Sequence, residues 1–399
     1  MFSFLRSLFS SSIPSTASYE NELFNRENNY AKFVGIRESD DFKRYLELKE
    51  YVGSQAYEKE LARIKALAYS NSEEARMEKR FSELKNIRGV KNWLKKGVQP
   101  EQPGLVEEYL ALKQQVENPD FINKVKYLKN KKRFKMSDPY LCKLEFRELG
   151  KSEAIKTFFK LQKKYSKDFE EHERWISKLY DDFSKPEIDD RRWLKKPFLG
   201  EQLLNGATYS QMEELQIATP ENVVVSSGIM RIQTKHERKE GLAWNKTLGF
   251  VPKTFSYTSG IVNSSGSYRQ TYGRFEAKVR VTKVPGTYHA FWMASDTMLP
   301  HLNVFKFEGN KLTVSAYGHG QRVEQTLNYR LNDDFYIYTL LWTVDKITWL
   351  INGKKVFETR NIISEPMYIA FSSGVTAEEA ATYMPVNMDI DWVRCFRTV

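Results

Sequence analysis

Cysteine is scarce in this chain of 399 residues, which contains two, Cys142 and Cys395, one in each half. Two isolated thiols provide neither a disulfide framework nor the paired spacing of a zinc site. We therefore expect no structural metal and no cofactor, and we interpret both thiols as buried or inert.

Long apolar runs are missing as well. No stretch approaches the roughly 18 apolar residues that a helix needs to cross a bilayer, so we expect no transmembrane segment. Residues 1–20 are interpreted as a tail, either an amphipathic anchor or a docking segment. They have no basic region ahead of their apolar residues, and Arg6 interrupts these, which argues against a signal peptide. We expect a location in the cytoplasm or in a larger particle, such as a virion.

Positive charge is plentiful but not concentrated. The net charge is +11, and clustered Lys and Arg would favour a nucleic-acid partner because they neutralise phosphates. The excess is divided about evenly between the two halves of the chain. The basic run Lys129 to Lys135 is short and falls at the end of a predicted helix, where cations complement the helix dipole. The pattern argues against nucleic-acid binding.

Residues 21–183 are rich in charge and have the apolar period of helices. The segment 45–49 matches 109–113, and the segment 81–84 matches 146–149, which gives a period of about 64 residues. We interpret the copies as lying near 40–96 and 104–164, with a partial third copy from 166. Repeated helices that cannot bury their apolar faces alone stack on their neighbours, so this half predicts a helical array or bundle. Candidate helix-start residues are Ser39, Ser54, Ser72, Asn118, Ser137 and Ser166.

After a predicted linker at 184–200, residues 201–399 have the alternation of β-strands. In the segment 271–281, apolar side chains alternate with Arg274, Glu276, Lys278 and Arg280. Asn352 and Gly353 stand between two such runs and favour a type I′ hairpin turn. The predicted fold class is therefore multidomain, α plus β, with a helical repeat array or bundle followed by an antiparallel β-sandwich.

Six segments of this second half resemble, in order and spacing, the family-16 glycoside hydrolases such as laminarinases and lichenases. The resemblance covers nearly all of residues 201–399 and implies a concanavalin-type jelly roll, whereas the helical half is not recognised. The six segments are Pro220 to Glu237, Tyr257 to Asn263, Tyr272 to Val281, His289 to Ser295, Tyr338 to Gly353 and Met388 to Phe396.

The resemblance also implies a catalytic strand with the pattern E-x-D-x-x-E, which is degenerate here. His301 stands at the position of the nucleophile, Asn303 at that of the assisting Asp, and Lys306 at that of the acid/base. Retaining hydrolysis needs two carboxylates about 5 Å apart. Imidazole is a poor nucleophile here, an amide does not ionise, and an ammonium group repels an oxocarbenium-like transition state. Using Glu308 instead supplies one carboxylate and no partner. We therefore predict no family-type catalysis and no catalytic residues.

Several residues are candidates for ligand binding beside His301, Asn303 and Lys306. Tyr288 and Trp292 form either a sugar-stacking platform or part of the core. Glu276 is either a lone cleft carboxylate or part of an ion-paired surface. Lys306 and His301 together would make the former active site basic, which favours an anionic polysaccharide or an acidic protein. No spacing of histidines supports a metal site.

The sequence is compatible with three functions. The first is a catalytically inactive structural, assembly or interaction component, with a protein partner or self-assembly through the helical half. The second is a noncatalytic glycan-binding module. The third is a glycoside hydrolase with an unconventional site. The missing carboxylates favour the first two over an enzyme.

Overall fold

A computed structural model describes residues 12–98 and 100–398 of the chain. It divides into two compact units: Glu27–Ser166 form one, and the described residues up to Arg26 and from Lys167 onward form the other. No helix of the described residues is long and apolar enough to span a bilayer.

The α-helices occupy the first half of the chain, apart from one short helix later in the sequence. Their bounds are α1 Thr16–Glu38, α2 Asp40–Val52, α3 Gln55–Ala66, α4 Glu73–Asn86, α5 Arg88–Lys96, α6 Gly104–Val116, α7 Pro119–Lys129, α8 Asp138–Lys151, α9 Glu153–Arg174 and α10 Phe198–Leu203. Short 3₁₀-helices lie at Tyr69–Asn71, Arg133–Met136, Pro220–Asn222 and Glu378–Tyr383.

Most predicted helix starts coincide with observed ones. The hydroxyl of Ser39 accepts a hydrogen bond from the Phe42 amide at the start of α2, which is how an N-cap residue satisfies a free backbone donor. Ser54, Ser72 and Asn118 cap α3, α4 and α7 in the same way. Ser166 is different because it lies inside α9. No helix starts there, so the predicted partial third copy has no helix of its own.

Aromatic residues at matched positions of the predicted repeat pack in matched pairs within the helical unit. The ring of Tyr45 stacks on Phe146 with centroids 5.1 Å apart, and the ring of Tyr109 stacks on Phe81, also at 5.1 Å. Each pair joins a residue of one predicted copy to a residue of the other. A duplicated unit would place such contacts at equivalent positions, although the repeat itself stays a prediction.

Ion pairs accompany both stacks. The guanidinium of Arg44 binds both carboxylate oxygens of Glu145 at 2.9 Å, and Arg80 binds both oxygens of Glu108 at 2.7 and 2.8 Å. Each of these residues directly precedes a member of a stacked pair in the sequence. These side chains are exposed to solvent, which screens each pair, so their contribution to stability is small.

The strands form the β-sandwich of the second unit. Their bounds are β1 Trp175–Asp181, β2 Tyr209–Gln211, β3 Gln216–Ala218, β4 Val223–Ser226, β5 Ile229–Asn245, β6 Gly249–Ser259, β7 Ile261–Asn263, β8 Gly273–Val281, β9 Thr287–Ala294, β10 His301–Glu308, β11 Lys311–Gly318, β12 Gln321–Leu327, β13 Tyr336–Trp342, β14 Lys346–Ile351, β15 Lys354–Arg360, β16 Tyr368–Val375 and β17 Val386–Thr398.

Two sheets enclose the core of the sandwich. The larger sheet has the order β15-β14-β13-β8-β17-β5-β6-β3, with β1, β2 and β4 paired at its side, and the smaller sheet has the order β12-β11-β10-β9-β16-β7. Most pairs are antiparallel; β2 with β5 and β3 with β6 are parallel. The alternation predicted in β8 is confirmed, since Phe275, Ala277 and Val279 are fully buried. So is the turn at Asn352 and Gly353, whose φ angles are 46° and 73°.

The sandwich begins earlier in the chain than predicted. Strand β1 lies inside the range 21–183 expected to be helical, and it pairs with β17. The predicted linker 184–200 is also wrong, because Trp193 is buried in the sandwich core together with Phe183 and Leu179. Trp193 lies in a charged stretch of the sequence, without apolar alternation around it. The sequence pattern therefore did not indicate that this single residue is buried.

Part of the predicted tail is folded. Residues 1–11 lie outside the described residues, but α1 begins at Thr16, within the range 1–20. The amide of Asn352 donates to the Pro14 carbonyl at 2.8 Å, and the Lys278 ammonium pairs with Glu20 at 2.7 Å. This N-terminal segment therefore packs on the larger sheet of its own unit.

Candidate functional site

Strand β10 holds the three residues predicted to stand at the catalytic positions, and a β-bulge sets their direction. Asn303 pairs with Trp292 of β9 and Lys306 with Ala290, so one extra residue of β10 is accommodated between them. The bulge returns Lys306 to the face on which His301 and Asn303 lie. The intervening side chains face the core instead; these are Leu302, Val304 and Phe305.

His301 and Asn303 form a short hydrogen-bonded row on this face. The imidazole Nε2 of His301 lies 3.3 Å from Oδ1 of Asn303, and the Asn303 amide donates to the hydroxyl of Ser315 at 2.7 Å. Burial lowers the pKa of His301, and the charge of Lys306 lowers it further, against the opposing effect of the hydrogen bond that the ring donates to Asn303. The imidazole is therefore held neutral at neutral pH.

The charge of Lys306 is matched by its own strand. Its ammonium lies 2.6 Å from the carboxylate of Glu308 and 5.7 Å from the ring centroid of Tyr288. Because His301 is neutral and Lys306 is paired, the site is not the basic surface expected from the sequence. These two residues therefore offer little unpaired positive charge to an anionic ligand.

Trp292 lies on the same face but is mostly covered, with 8% of its surface exposed. One contact is with His301, whose ring stacks at 5.2 Å; the indole Nε1 also donates to the Ser372 hydroxyl at 3.0 Å. Phe198 from α10 packs into the same cluster. An open stacking platform at Trp292 is therefore wrong, because the protein's own segment before β2 occupies that space. Tyr288 is half-buried.

Glu276 is not part of this site. It lies on β8 of the larger sheet, whereas β10 belongs to the smaller one. Its carboxylate is buried and accepts hydrogen bonds from Arg274 at 2.6 Å and from Thr339 at 2.8 Å. The prediction of a cleft carboxylate is wrong, because alternation gives the face of a strand but not the sheet to which the strand belongs.

Two other histidines, His289 and His319, lie outside this row. His289 faces the core, where its ring nitrogens contact the Ser373 hydroxyl at 2.8 Å and the Thr282 carbonyl at 2.9 Å. His319 contacts Ser364 on an exposed turn. Within the described residues, no group of three His, Cys, Asp or Glu side chains has the arrangement of a metal site.

Residues 211–394 match the sequence profile of the family described as glycosyl hydrolases family 16. This half of the chain resembles that family. The resemblance inferred from the six segments is thereby confirmed, and it leaves the helical unit unassigned.

Individual relatives show the same likeness. The chain is 26% identical over 215 residues to the endo-1,3-1,4-beta-glycanase EglC of Rhizobium meliloti, covering 48% of this chain and 45% of that protein. It is 25% identical over 171 residues to a beta-glucanase of Rhodothermus marinus, covering 37% and 55% of the two. The chain thus spans about half the length of these curated relatives.

Solved structures of enzymes with such names are also similar to this chain. The catalytic domain of an endo-1,3-beta-glucanase (laminarinase) from Thermotoga petrophila has 20% identity and a TM-score of 0.46, covering 57% of this chain and 99% of that one. The kappa-carrageenase of Pseudoalteromonas carrageenovora has 23% identity and a TM-score of 0.45, covering 56% and 96%.

The chemistry available on the family-16-like strand is limited. A neutral imidazole, an amide and a paired ammonium stand where the resemblance predicts a nucleophile, an assisting acid and an acid/base. None supplies the pair of carboxylates that double displacement requires. Glu308 lies near Lys306, but its charge is engaged by that ammonium.

The family-16-like sandwich also has a cavity that the sequence did not reveal. It has a volume of about 200 Å³. It lies between strands β7, β9 and β16 of the smaller sheet and the segment 197–218. That segment mostly precedes the first of the six matching segments and has little alternation, so no sequence signal pointed to it. Its walls include Tyr288 and Trp292, and its one carboxylate among the described lining residues is Glu214.

Proposed function

We propose that this protein is a non-hydrolytic relative of the family-16 enzymes and acts through contacts with other molecules, as an interaction or assembly component. One observation carries the proposal. The bulged strand β10 brings His301, Asn303 and Lys306 to one face, the face on which the resemblance implies the carboxylates of the family. A strand with intact geometry and altered chemistry supports retention of the fold for a purpose other than hydrolysis.

The state of the cleft supports the same conclusion. Trp292 is covered by the protein's own chain. A long glycan would therefore have to displace α10 in order to contact this side chain. His301 is held neutral and Lys306 is paired with Glu308. Little unpaired charge is therefore left for catalysis.

Exposed apolar residues of the helical unit support a protein partner or self-assembly. Leu46 is 44% exposed and Leu110 is 47% exposed, and the two occupy equivalent positions in the predicted repeat. Apolar side chains exposed at matched positions are suited to a partner that contacts both copies. We propose an intracellular setting, in the cytoplasm or in a particle such as a virion, for this contact.

Two measurements test the proposal. Incubation of the full chain with β-1,3-glucan, mixed-linkage β-glucan and kappa-carrageenan should release no reducing sugar above a blank, with the Rhodothermus marinus beta-glucanase as an active reference. Sedimentation velocity should show association that weakens in the double variant Leu46→Lys, Leu110→Lys. Reducing ends that increase with protein concentration would refute the non-hydrolytic part, and a monomer at all concentrations would refute self-assembly.

A noncatalytic glycan-binding role is the second candidate. It is favoured by the partly exposed row of His301 and Tyr317 on the cleft face, where their rings lie 6.1 Å apart. Several relatives are named for enzymes that act on glycans. Affinity electrophoresis in gels containing these polysaccharides should retard the wild-type chain but not Tyr317→Ala. Equal mobility of both proteins in every gel would remove this candidate.

A further inference from the structure

Aromatic side chains form part of the wall of the cavity beside the former cleft. It has a volume of about 200 Å³, below the roughly 300–1,000 Å³ of common small-molecule sites, so it suits a small ligand. Its aromatic walls come from α10, β2, β9 and β16. They are Phe198, Tyr209, Tyr288, Trp292 and Tyr368.

Among the polar side chains that line the cavity, one is acidic and the others are neutral. Glu214 contributes a carboxylate, and Ser210, Gln216 and Ser372 contribute neutral groups. No Lys, Arg or His is found among the described residues that line the cavity. The described lining of the cavity therefore carries one acidic side chain and no basic one.

Glu214 is held firmly in place. Its Oε2 accepts a hydrogen bond of 2.7 Å from the Gln211 amide. The ammonium of Lys253 donates to the main-chain carbonyls of Met212 and Glu214 at 2.7 and 2.6 Å, which fixes the loop that carries the carboxylate. Burial raises the pKa of Glu214, against the opposing effects of that amide hydrogen bond and of Lys253.

We propose that this cavity binds a single sugar residue, or a ring of that size, that carries a protonated amine. The C–H faces of the ring pack on the aromatic walls, and the ammonium group binds the carboxylate of Glu214. A charge-assisted hydrogen bond of this kind is about twice as strong as a neutral one.

The observations favour this ligand class over its neighbours. An anionic sugar would meet Glu214 with no lining cation to offset the repulsion. A neutral sugar would bring no positive charge to the carboxylate, whereas an ammonium group can form a charge-assisted hydrogen bond with it. The small volume argues against an internal stretch of a polysaccharide. The inference goes beyond the proposed function, because it requires neither assembly nor loss of hydrolysis.

The test is titration calorimetry of the full chain at neutral pH with D-glucosamine, D-glucose and N-acetyl-D-glucosamine. These three ligands share a ring and differ at one substituent. We expect glucosamine to bind at least tenfold more tightly than either neutral sugar. Equal affinities, or no detectable glucosamine binding at millimolar concentration, would overturn the inference on the wild-type chain alone.

Two variants locate the site. Glu214→Gln should lower the affinity for glucosamine at least tenfold and abolish its advantage over glucose. Glu213→Gln changes the adjacent exposed carboxylate, which does not line the cavity, and should bind as the wild type does. A Glu214→Gln protein that melts normally and still prefers glucosamine would refute the assignment. Self-association and the reducing-sugar assay are scored separately, so failure here leaves the proposed function standing.

Discussion

The indole Nε1 of Trp193 donates a hydrogen bond of 2.8 Å to the carboxylate Oδ2 of Asp181. Asp181 ends β1, and Trp193 is 1% exposed in the sandwich core. This bond connects the edge of the larger sheet to a segment that carries no regular secondary structure. The sandwich therefore depends on residues well before the region that resembles family 16.

Replacement of Trp193 by Ala should destabilise the sandwich strongly. Loss of a fully buried Trp removes its transfer free energy and leaves a cavity, at a cost of about 3–5 kcal/mol. The free energy of unfolding, measured by urea denaturation of the full chain, checks this. Trp244→Ala is the control, since Trp244 is 37% exposed and its loss should cost much less. Equal effects of the two variants would show that Trp193 is not a core anchor.

The buried His289 should make stability depend on pH. Burial lowers its pKa from 6.5 to about 4, although a hydrogen bond to Thr282 acts in the opposite direction. The unfolded chain therefore binds a proton before the folded one does. Stability is fully present above about pH 6.5 and falls as the pH drops towards 4, by about 2 kcal/mol between pH 7 and pH 5.

The measurement is the difference in unfolding free energy between pH 7 and pH 5. His289→Gln should remove about 2 kcal/mol from that difference, because glutamine does not titrate. His319→Gln, which makes the same substitution at an exposed histidine, is the matched control. If the His289 variant kept the full pH dependence, another group would have to be responsible.

The sequence predicted those features of the fold that depend on local pattern. Alternation in β8 and the Asn352–Gly353 turn appear as expected, because strand period and turn geometry are set by neighbouring residues. The cleft-facing direction of Lys306 was also accessible, since it needed only the family pattern and a bulge. Local pattern did not assign Glu276 to a sheet, because strand order is fixed by contacts distant in sequence.

Features that depend on single anchors or on remote contacts were missed. Trp193 is surrounded by charged residues in the sequence and has no apolar period around it. Glu214 lies in a segment with little alternation, and its place beside Tyr288 arises from packing between residues far apart in the chain. The covering of Trp292 by Phe198 has the same origin. Trp292, one of the two candidates for an exposed stacking platform, therefore lies in the wall of the cavity instead.

Matched leucines of the predicted repeat should differ in their contribution to stability. Leu84 is fully buried with Val90 and Tyr109, whereas its counterpart Leu149 is partly exposed. Leu84→Ala should cost about 3 kcal/mol or more of the helical unit's stability, and Leu149→Ala should cost less. Helical circular dichroism during thermal unfolding reports both. Equal losses would mean that the two predicted copies are equally well packed.

Gly353 tests whether the N-terminal segment is a firm part of the sandwich. Its φ of 73° favours glycine, and a side chain there would collide with the ring of Tyr19. Gly320 has the same φ of 73° but open space around it, so Gly320→Ala measures the backbone penalty alone, about 1–2 kcal/mol. Gly353→Ala should cost about 1–3 kcal/mol more, through overpacking against Tyr19. In a Tyr19→Ala background that excess should disappear, whereas an excess that persisted would place its origin elsewhere than in the N-terminal segment.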